Sequence, residues 1–312
     1  MENSHSVGQN RRKHTRILMQ RHWQMYLMML LPIAFIIVFN YIPMGGLVIA
    51  FKNYSFSKGI FGSKWVGLKH FEKLVNSYMF PRLLSNTFLL SIYTIAVCFP
   101  IPILFAVLLN ECRNTRFKKF VQMVSYAPHF ITTVVIVSIL SQLFNYYHGI
   151  VNIIAKSLGG IAVDYMGQAS SFRTMYVFSG LWQNMGYNSI IYIAALASVD
   201  PQLEEAATID GANRLQKIWH IDLPTILPTI IIMLILRMGS VLDVGYEKVY
   251  LMQNDINIVY SEVISTYVYK MGLLNTQYSF AAAVGIFNSV INLVIVVTVN
   301  FICQRVGETS LW

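Results

Sequence analysis

Charge is scarce in this sequence. Lys, Arg, Asp and Glu make up 12% of its 312 residues, against about 25% in an ordinary soluble domain. That deficit excludes a typical soluble enzyme. With a hydrophobic fraction of 55%, a disordered chain is excluded as well. Cysteine is sparse too. Cys98, Cys112 and Cys303 show no CxxC spacing and no even-numbered framework, so neither a zinc site nor a disulfide scaffold is indicated. There is no GxxxxGKS or GxxxxGKT phosphate loop, because Gly59, Gly62 and Lys64 stand at the wrong spacing, and ATP binding by that route is excluded. HExxH is absent, and no Ser, His and Asp set announces itself. The net charge of +9 raises the question of a nucleic acid. The basic residues, however, form short islands between long uncharged runs, not a patch on a polar fold.

The uncharged runs are what the sequence has in abundance. Stretches free of Asp, Glu, Lys and Arg cover 22–51, 83–110, 120–155, 174–199 and 271–304, and a sixth, 223–242, is interrupted only by Arg237. A spanning helix needs about 20 mostly apolar residues. The pattern therefore predicts an all-α membrane protein with six transmembrane helices near 24–48, 84–110, 121–145, 175–198, 223–243 and 281–303. The first apolar run is longer than a signal peptide's core, and no small-residue cleavage site follows it. Lys and Arg near the membrane ends set orientation. The compact island with Arg113, Arg116, Lys118 and Lys119, together with Arg305 in the tail, places both termini in the cytoplasm. The expected organisation is a basic tail 1–23, a transmembrane domain 24–303 with a cytoplasmic loop 199–222, and a tail 304–312. In the outer segment 67–80, Leu68, Phe71, Leu74 and Val75 recur at helical spacing. This reads equally as an amphipathic helix on the outer membrane surface or as a short helix packed on the bundle's end.

The loop between the fourth and fifth spans is the best-punctuated part of the chain. Asp200 suits an N-cap and Pro201 the first helical position. Glu204 and Glu205 fall where the helix dipole favours negative charge. Ala206 and Ala207 are strong helix formers with small side chains, and Gly211 ends or bends the helix. A second short helix near 213–220 then leads to Leu223-Pro224 and back into the membrane. A helix–turn–helix lying flat on the cytoplasmic face is expected. Its small Ala surface suits close approach by a docking partner.

The pattern Glu205-Ala206-Ala207, Asp210-Gly211-Ala212 and Ile221-x-Leu223-Pro224 resembles the EAA motif of ABC-importer permeases. Ile218 stands where that family usually has Phe. Further segments resemble the LplB-type branch of the MalF-like carbohydrate permeases. They include Val66-Gly67-Leu68, Phe99-Pro100-Ile101-Pro102, Tyr126-Ala127-Pro128-His129-Phe130, Gln277-Tyr278-Ser279-Phe280 and Ser310-Leu311-Trp312. The resemblance implies an ABC type I importer permease fold in a bacterial cell membrane. It implies that Glu204, Glu205, Ala206, Ala207, Asp210, Gly211, Ala212, Leu223 and Pro224 couple the chain to an ATPase. This chain would then bind no cofactor, ATP and Mg being used by two partner ATPase subunits. A second related permease, forming a heterodimer, and an extracellular solute-binding lipoprotein that delivers an oligosaccharide would complete the importer, working by alternating access.

A polar cargo needs polar groups inside the membrane, where they are costly and usually face a cavity. The candidates are Trp182, Asn184, Tyr187 and Asn188 on the fourth span, with Tyr192 near them. On the fifth they are Arg237, Ser240 and Asp243, at i, i+3 and i+6. On the sixth they are Asn288 and Asn292, at i and i+4. Gln142, Asn145 and Tyr146 lie near the outer end of the third. Bland readings compete: the Asn pair bonding to a neighbouring helix, Trp182 and Tyr192 as packing or interface aromatics, and Arg237 paired with Asp243 or with a carboxylate of the partner permease. By resemblance, the sugar site lies on the helices just before and after the coupling loop. Two other classes remain as alternatives. A stand-alone secondary transporter would favour internal repeats, and none is evident. A membrane enzyme would need convergent acid, base or metal residues at membrane depth.

Overall fold

The computed structural model describes residues 21–307. Most of the expected basic tail 1–23 and the end of the 304–312 tail lie outside the described residues. Two compact units divide the chain, Met1–Lys69 and His70–Trp312.

In the first unit a long apolar helix, α1 (Trp23–Phe51), is exposed over its most apolar stretch, and Ala50 near its end is buried. It runs into a minimal antiparallel pair, β1 (Lys52–Asn53) and β2 (Lys64–Trp65), in which Lys52 faces Trp65 and Asn53 faces Lys64.

The second unit is helical. A short helix, α2 (Lys69–Val75), is followed by α3 (Phe80–Asn110), a single span stepped at Phe99 where Pro100 interrupts the hydrogen-bond ladder. Next come α4 (Thr115–Phe130) and α5 (Thr133–Leu143), then the 28-residue α6 (Ala169–Leu196). The loop helix α7 (Pro201–Ile209) precedes α8 (Arg214–Met238). Two short helices, α9 (Tyr246–Met252) and α10 (Ile264–Tyr269), lead to α11 (Tyr278–Gly307).

Four helices are long and apolar enough to cross a membrane: α1, α3, α8 and the Tyr278–Arg305 part of α11. Treating α4 and α5 as one bent span gives a fifth. Three expectations change in detail. The segment expected as a straight span at 121–145 is broken, its two legs meeting at 99° around Pro128. The fifth span does not reach 243. It ends at Met238, and Gly239 opens a turn. The separate helix expected near 213–220 is the start of that same span. Pro224 removes the amide that would bond the His220 carbonyl, and the turn Ile218–Asp222 widens just before it, without breaking the helix. The segment expected as the fourth span is the helix α6, about 42 Å long. It is not among the four apolar helices, because its middle carries Gln183, Asn184 and Asn188.

Three clusters hold this unit together. Leu90, Val137, Phe172, Val177, Val249 and Val263 join α3, α5, α6 and α9. Ile103, Ala106, Tyr192, Leu196 and Ile226 join α3, α6 and α8 nearer the loop 199–222. Leu74 of α2 is buried with Leu83, Ile264, Tyr267 and Phe280, so of the two readings of segment 67–80 the packed helix holds at Leu74. Val75 stays exposed.

Candidate functional site

The loop 199–222 folds as its residue types dictate. The Asp200 side chain accepts the Gln202 amide at 2.9 Å and caps α7, with Pro201 at its first position. At the other end Gly211 adopts φ +77°. There the Ala212 amide donates to the Ala207 carbonyl (2.9 Å) and the Gly211 amide to that of Thr208 (3.2 Å). These two bonds form the Schellman closure that a left-handed glycine permits. Asn213 and Gln216 then cap the next helix reciprocally, each side chain bonding the other's backbone amide. Lys217 bridges the two arms by donating to the Thr208 hydroxyl at 2.6 Å. Glu204, Glu205, Ala206, Asp210 and Gly211 are exposed, while Ala207, Ala212 and Leu223 are half-buried. Pro224 is exposed at the foot of the span. A shallow groove of about 300 Å³ runs between the arms, lined by Ala207, Asp210, Gly211, Ala212, Lys217 and His220. Leu203 and Ile209 stand 53% and 86% exposed beside it. Apolar side chains presented on so well-tied a scaffold form a contact surface, not a core.

Within the same unit, α3, α6, α8 and α9 enclose a cavity of about 500 Å³. Asn184, Asn188 and Tyr192 of α6 line it, as expected for the asparagines, together with Thr94 and Cys98 of α3 and with Arg237 and Ser240. A smaller cavity of about 250 Å³ shares Thr94, Tyr176, Arg237 and Ser240 and adds Asp243. Arg237, Ser240 and Asp243 therefore do converge, but not as the face of one helix. Arg237 is on the last turn of α8, Ser240 follows in the turn, and Asp243 lies beyond it.

The remaining candidates separate. Asn288 and Asn292 of α11 both donate to the Asp243 carboxylate, at 2.9 and 3.4 Å, and Asn292 also accepts the Leu242 amide at 3.2 Å. They hold the turn after α8, which is the bland reading made of them. Asp243 is thus not paired with Arg237. Only two ion pairs form among the described residues, Arg214–Glu111 and Lys270–Glu262. An unpaired arginine at membrane depth costs at least about 2.5 kcal/mol. Trp182 is 52% exposed and does not line the cavity. Tyr187 does not line it either, and its ring stacks on His129 at 3.8 Å with the planes 4° apart.

Two residues matter here that sequence reasoning passed over. His129 sits in the bend between α4 and α5 and is 2.9 Å from the Asn184 side-chain oxygen. Asn184's own amide donates to the Gly180 carbonyl at 3.0 Å, so its oxygen faces the histidine and Nδ1 of His129 is the donor. Gln183 donates to the Ile131 carbonyl, which the bend leaves without a helical partner. The tyrosine and the amides of α6 thus fasten the broken span, and both amides, Gln183 and Asn184, also line the cavity. The second residue is Lys248 of α9. It lines the cavity while only 9% exposed, and it donates to the Tyr176 carbonyl at 3.1 Å with its ammonium 4.9 Å above the Tyr176 ring. In sequence it looked like one more lysine of an outer loop. Burial pushes its amine down to about 8. Among the described residues no group of three or more His, Cys, Asp or Glu side chains converges as a metal site would.

A helical membrane unit with a polar cavity between its spans and a rigid loop at their foot defines a transport subunit, and comparison gives its family. Residues 99–308 match the family of binding-protein-dependent transport system inner membrane components, to which the chain belongs. It is 41% identical to the polygalacturonan/rhamnogalacturonan transport system permease protein YteP of Bacillus subtilis, over 97% of this chain and 94% of that one. It is 38% identical to protein LplB of the same organism, over 94% and 92%. Among solved structures, it matches a chain of a bacterial ABC transporter involved in the import of the acidic polysaccharide alginate. The TM-score is 0.86 at 37% identity, covering 94% of this chain and 99% of the other. The same transporter in complex with its alginate pentasaccharide-bound periplasmic protein matches equally well, with TM-score 0.86 and 38% identity.

Proposed function

We propose that this chain is the membrane-spanning permease half of an ATP-driven importer of oligosaccharides. In this reading it crosses the membrane six times, α4 with α5 and α6 supplying the third and fourth crossings, and both termini are cytoplasmic. A second, related permease completes the pathway. Two ATPase subunits bind and hydrolyse ATP with Mg, and an extracellular binding lipoprotein delivers the sugar. The relatives named above support the cargo class: two carry a plant or algal polysaccharide in their names or titles, and one was captured with a sugar-loaded binding protein.

The observation that carries the reading is the loop 199–222. Its two arms are locked to each other by caps, a Schellman closure and the Lys217–Thr208 bond, and the second arm is continuous with the span α8, whose last turn carries Arg237. Force applied to α7 is transmitted as a rigid-body movement of α8, and the cavity wall moves with it. Closing of the ATPases would thus swing the pathway between inward-open and outward-open states. Glu205→Arg reverses charge on the exposed face of α7 and should abolish both ATPase binding and uptake, while membrane abundance is unchanged. Uptake that persists without the ATPase would place the chain among secondary transporters instead.

A further inference from the structure

Two cations share the 500 Å³ cavity, and among the described residues neither has an acid opposite it. Arg237 makes no ion pair among them. Lys248 is buried against a carbonyl and an aromatic face, not against a carboxylate. The one acid nearby, Asp243 in the adjoining cavity, has its two oxygens held by Asn288 and Asn292. The rest of the cavity's polar wall is made of neutral groups, including Asn184, Asn188 and Ser240. Room for the lysine is built in. A side chain at Gly180 would bring its Cβ within 3.3 Å of the Lys248 ammonium. Neutral sugars are recognised through amides, carboxylates and aromatic faces, and need no excess positive charge. Two uncompensated cations beside neutral amides suit a ligand that carries both hydroxyls and an anion.

We propose that Arg237 and Lys248 form a carboxylate-binding subsite in the pathway, so that the cargo is an acidic, uronate-containing oligosaccharide. The arginine fork takes the carboxylate side-on, and the lysine adds a point charge from α9. The asparagines of α6 meet the hydroxyls of the same or the next ring. The proposal rests on the carbohydrate reading above and adds the charge of the cargo and the two residues that select it.

The test uses the native host with this chain deleted and replaced at its own locus by wild type, Arg237→Met, Lys248→Met, Arg237→Lys or Gly180→Ala. Uptake is measured for three labelled probes of equal length: trigalacturonate, its methyl ester and maltotriose. Chain-dependent uptake is expected for the acid alone. Arg237→Met and Lys248→Met should each lower it at least about tenfold, as expected when one partner of a desolvated charge contact is removed. Membrane abundance and co-purification of the partner subunits should not change. Arg237→Lys, which keeps the charge but not the fork, should retain more of the rate than Arg237→Met and less than wild type. Gly180→Ala, which leaves every charge in place and crowds only the lysine, should weaken uptake less than Lys248→Met. Wild-type uptake of the methyl ester or maltotriose at the rate of the acid overturns the subsite and leaves the carbohydrate reading standing. So does unimpaired trigalacturonate uptake by Arg237→Met. Loss of the second permease from Arg237→Met preparations also overturns it, because the arginine would then pair across the permease interface. No chain-dependent uptake of any of the three would overturn both readings.

Discussion

Gly211 offers the sharpest test of how the coupling loop works, because the perturbation is purely conformational. A methyl group at this position would meet nothing within 4 Å, so Gly211→Ala creates no clash inside the chain. What it meets is the backbone angle. At φ +77° an L side chain is disfavoured by roughly 1–2 kcal/mol, more for a β-branched one. If the residue leaves the left-handed region, the two closing bonds from Ala212 and Gly211 to the end of α7 are lost with it. The loop geometry that presents α7 then becomes a minority state. A penalty of one to two kcal/mol lowers its population about 5- to 30-fold. Apparent affinity for the ATPase should fall by the same factor. Asn tolerates the left-handed region far better than other side chains. The expected order of coupling is therefore Gly, Asn, Ala, Val, measured as ATPase binding to the reconstituted permease and as sugar-stimulated ATP hydrolysis. Equal impairment of Asn and Val would refute the backbone argument and point to side-chain bulk in the ATPase groove. A fully coupled Val variant would refute the loop's role as a rigid lever.

Two further outcomes follow from the cavity wall and the bend. Below pH 8 the Lys248 amine is charged, and above it the charge is lost, since burial holds its pKa at about 8. Uptake of an acidic cargo should therefore fall between pH 7 and 9 in wild type and stay flat over that window in Lys248→Met. The Cys98 thiol and the Tyr176 ring face the same amine, so Cys98→Ala and Tyr176→Phe are run alongside, and a profile that moves with Cys98→Ala would assign the titration to the thiol. At the bend, Gln183→Leu leaves the Ile131 carbonyl without its donor. That should cost about 1–3 kcal/mol, read as a lower unfolding temperature of the purified complex. An unchanged temperature would mean that water or lipid replaces the bond.

Which features could be read from the sequence depended on whether their cause was local. Most of the loop 199–222 was legible. A capping aspartate, a proline at the first helical position and a glycine at the C-terminus act over a few positions, and all three formed where expected, whereas the Asn213–Gln216 capping box and the continuity of the second arm with α8 were not anticipated. The bundle's apolar helices were legible for the same reason, as composition over about 20 residues. The bend between α4 and α5 was not, although Pro128 marks it, because Pro100 interrupts α3 without turning it. The chain turns by 99° at Ile131–Thr132, just past Pro128, where α6 supplies Gln183, Asn184 and Tyr187 to hold Ile131 and His129. Those partners are some 50 residues away in sequence. Arg237, Ser240 and Asp243 were grouped correctly for the wrong reason. Helical spacing suggested a shared face, whereas Gly239 starts a turn and two asparagines of α11 hold its far end. Lys248 was the most consequential omission. Its neighbours in sequence are those of a solvent-facing loop, and only the packing of α9 on α6 makes it part of the wall. α6 explains why hydropathy is blind where a helix lines a cavity. The same amides that line the cavity dilute the apolar signal of the helix that carries them.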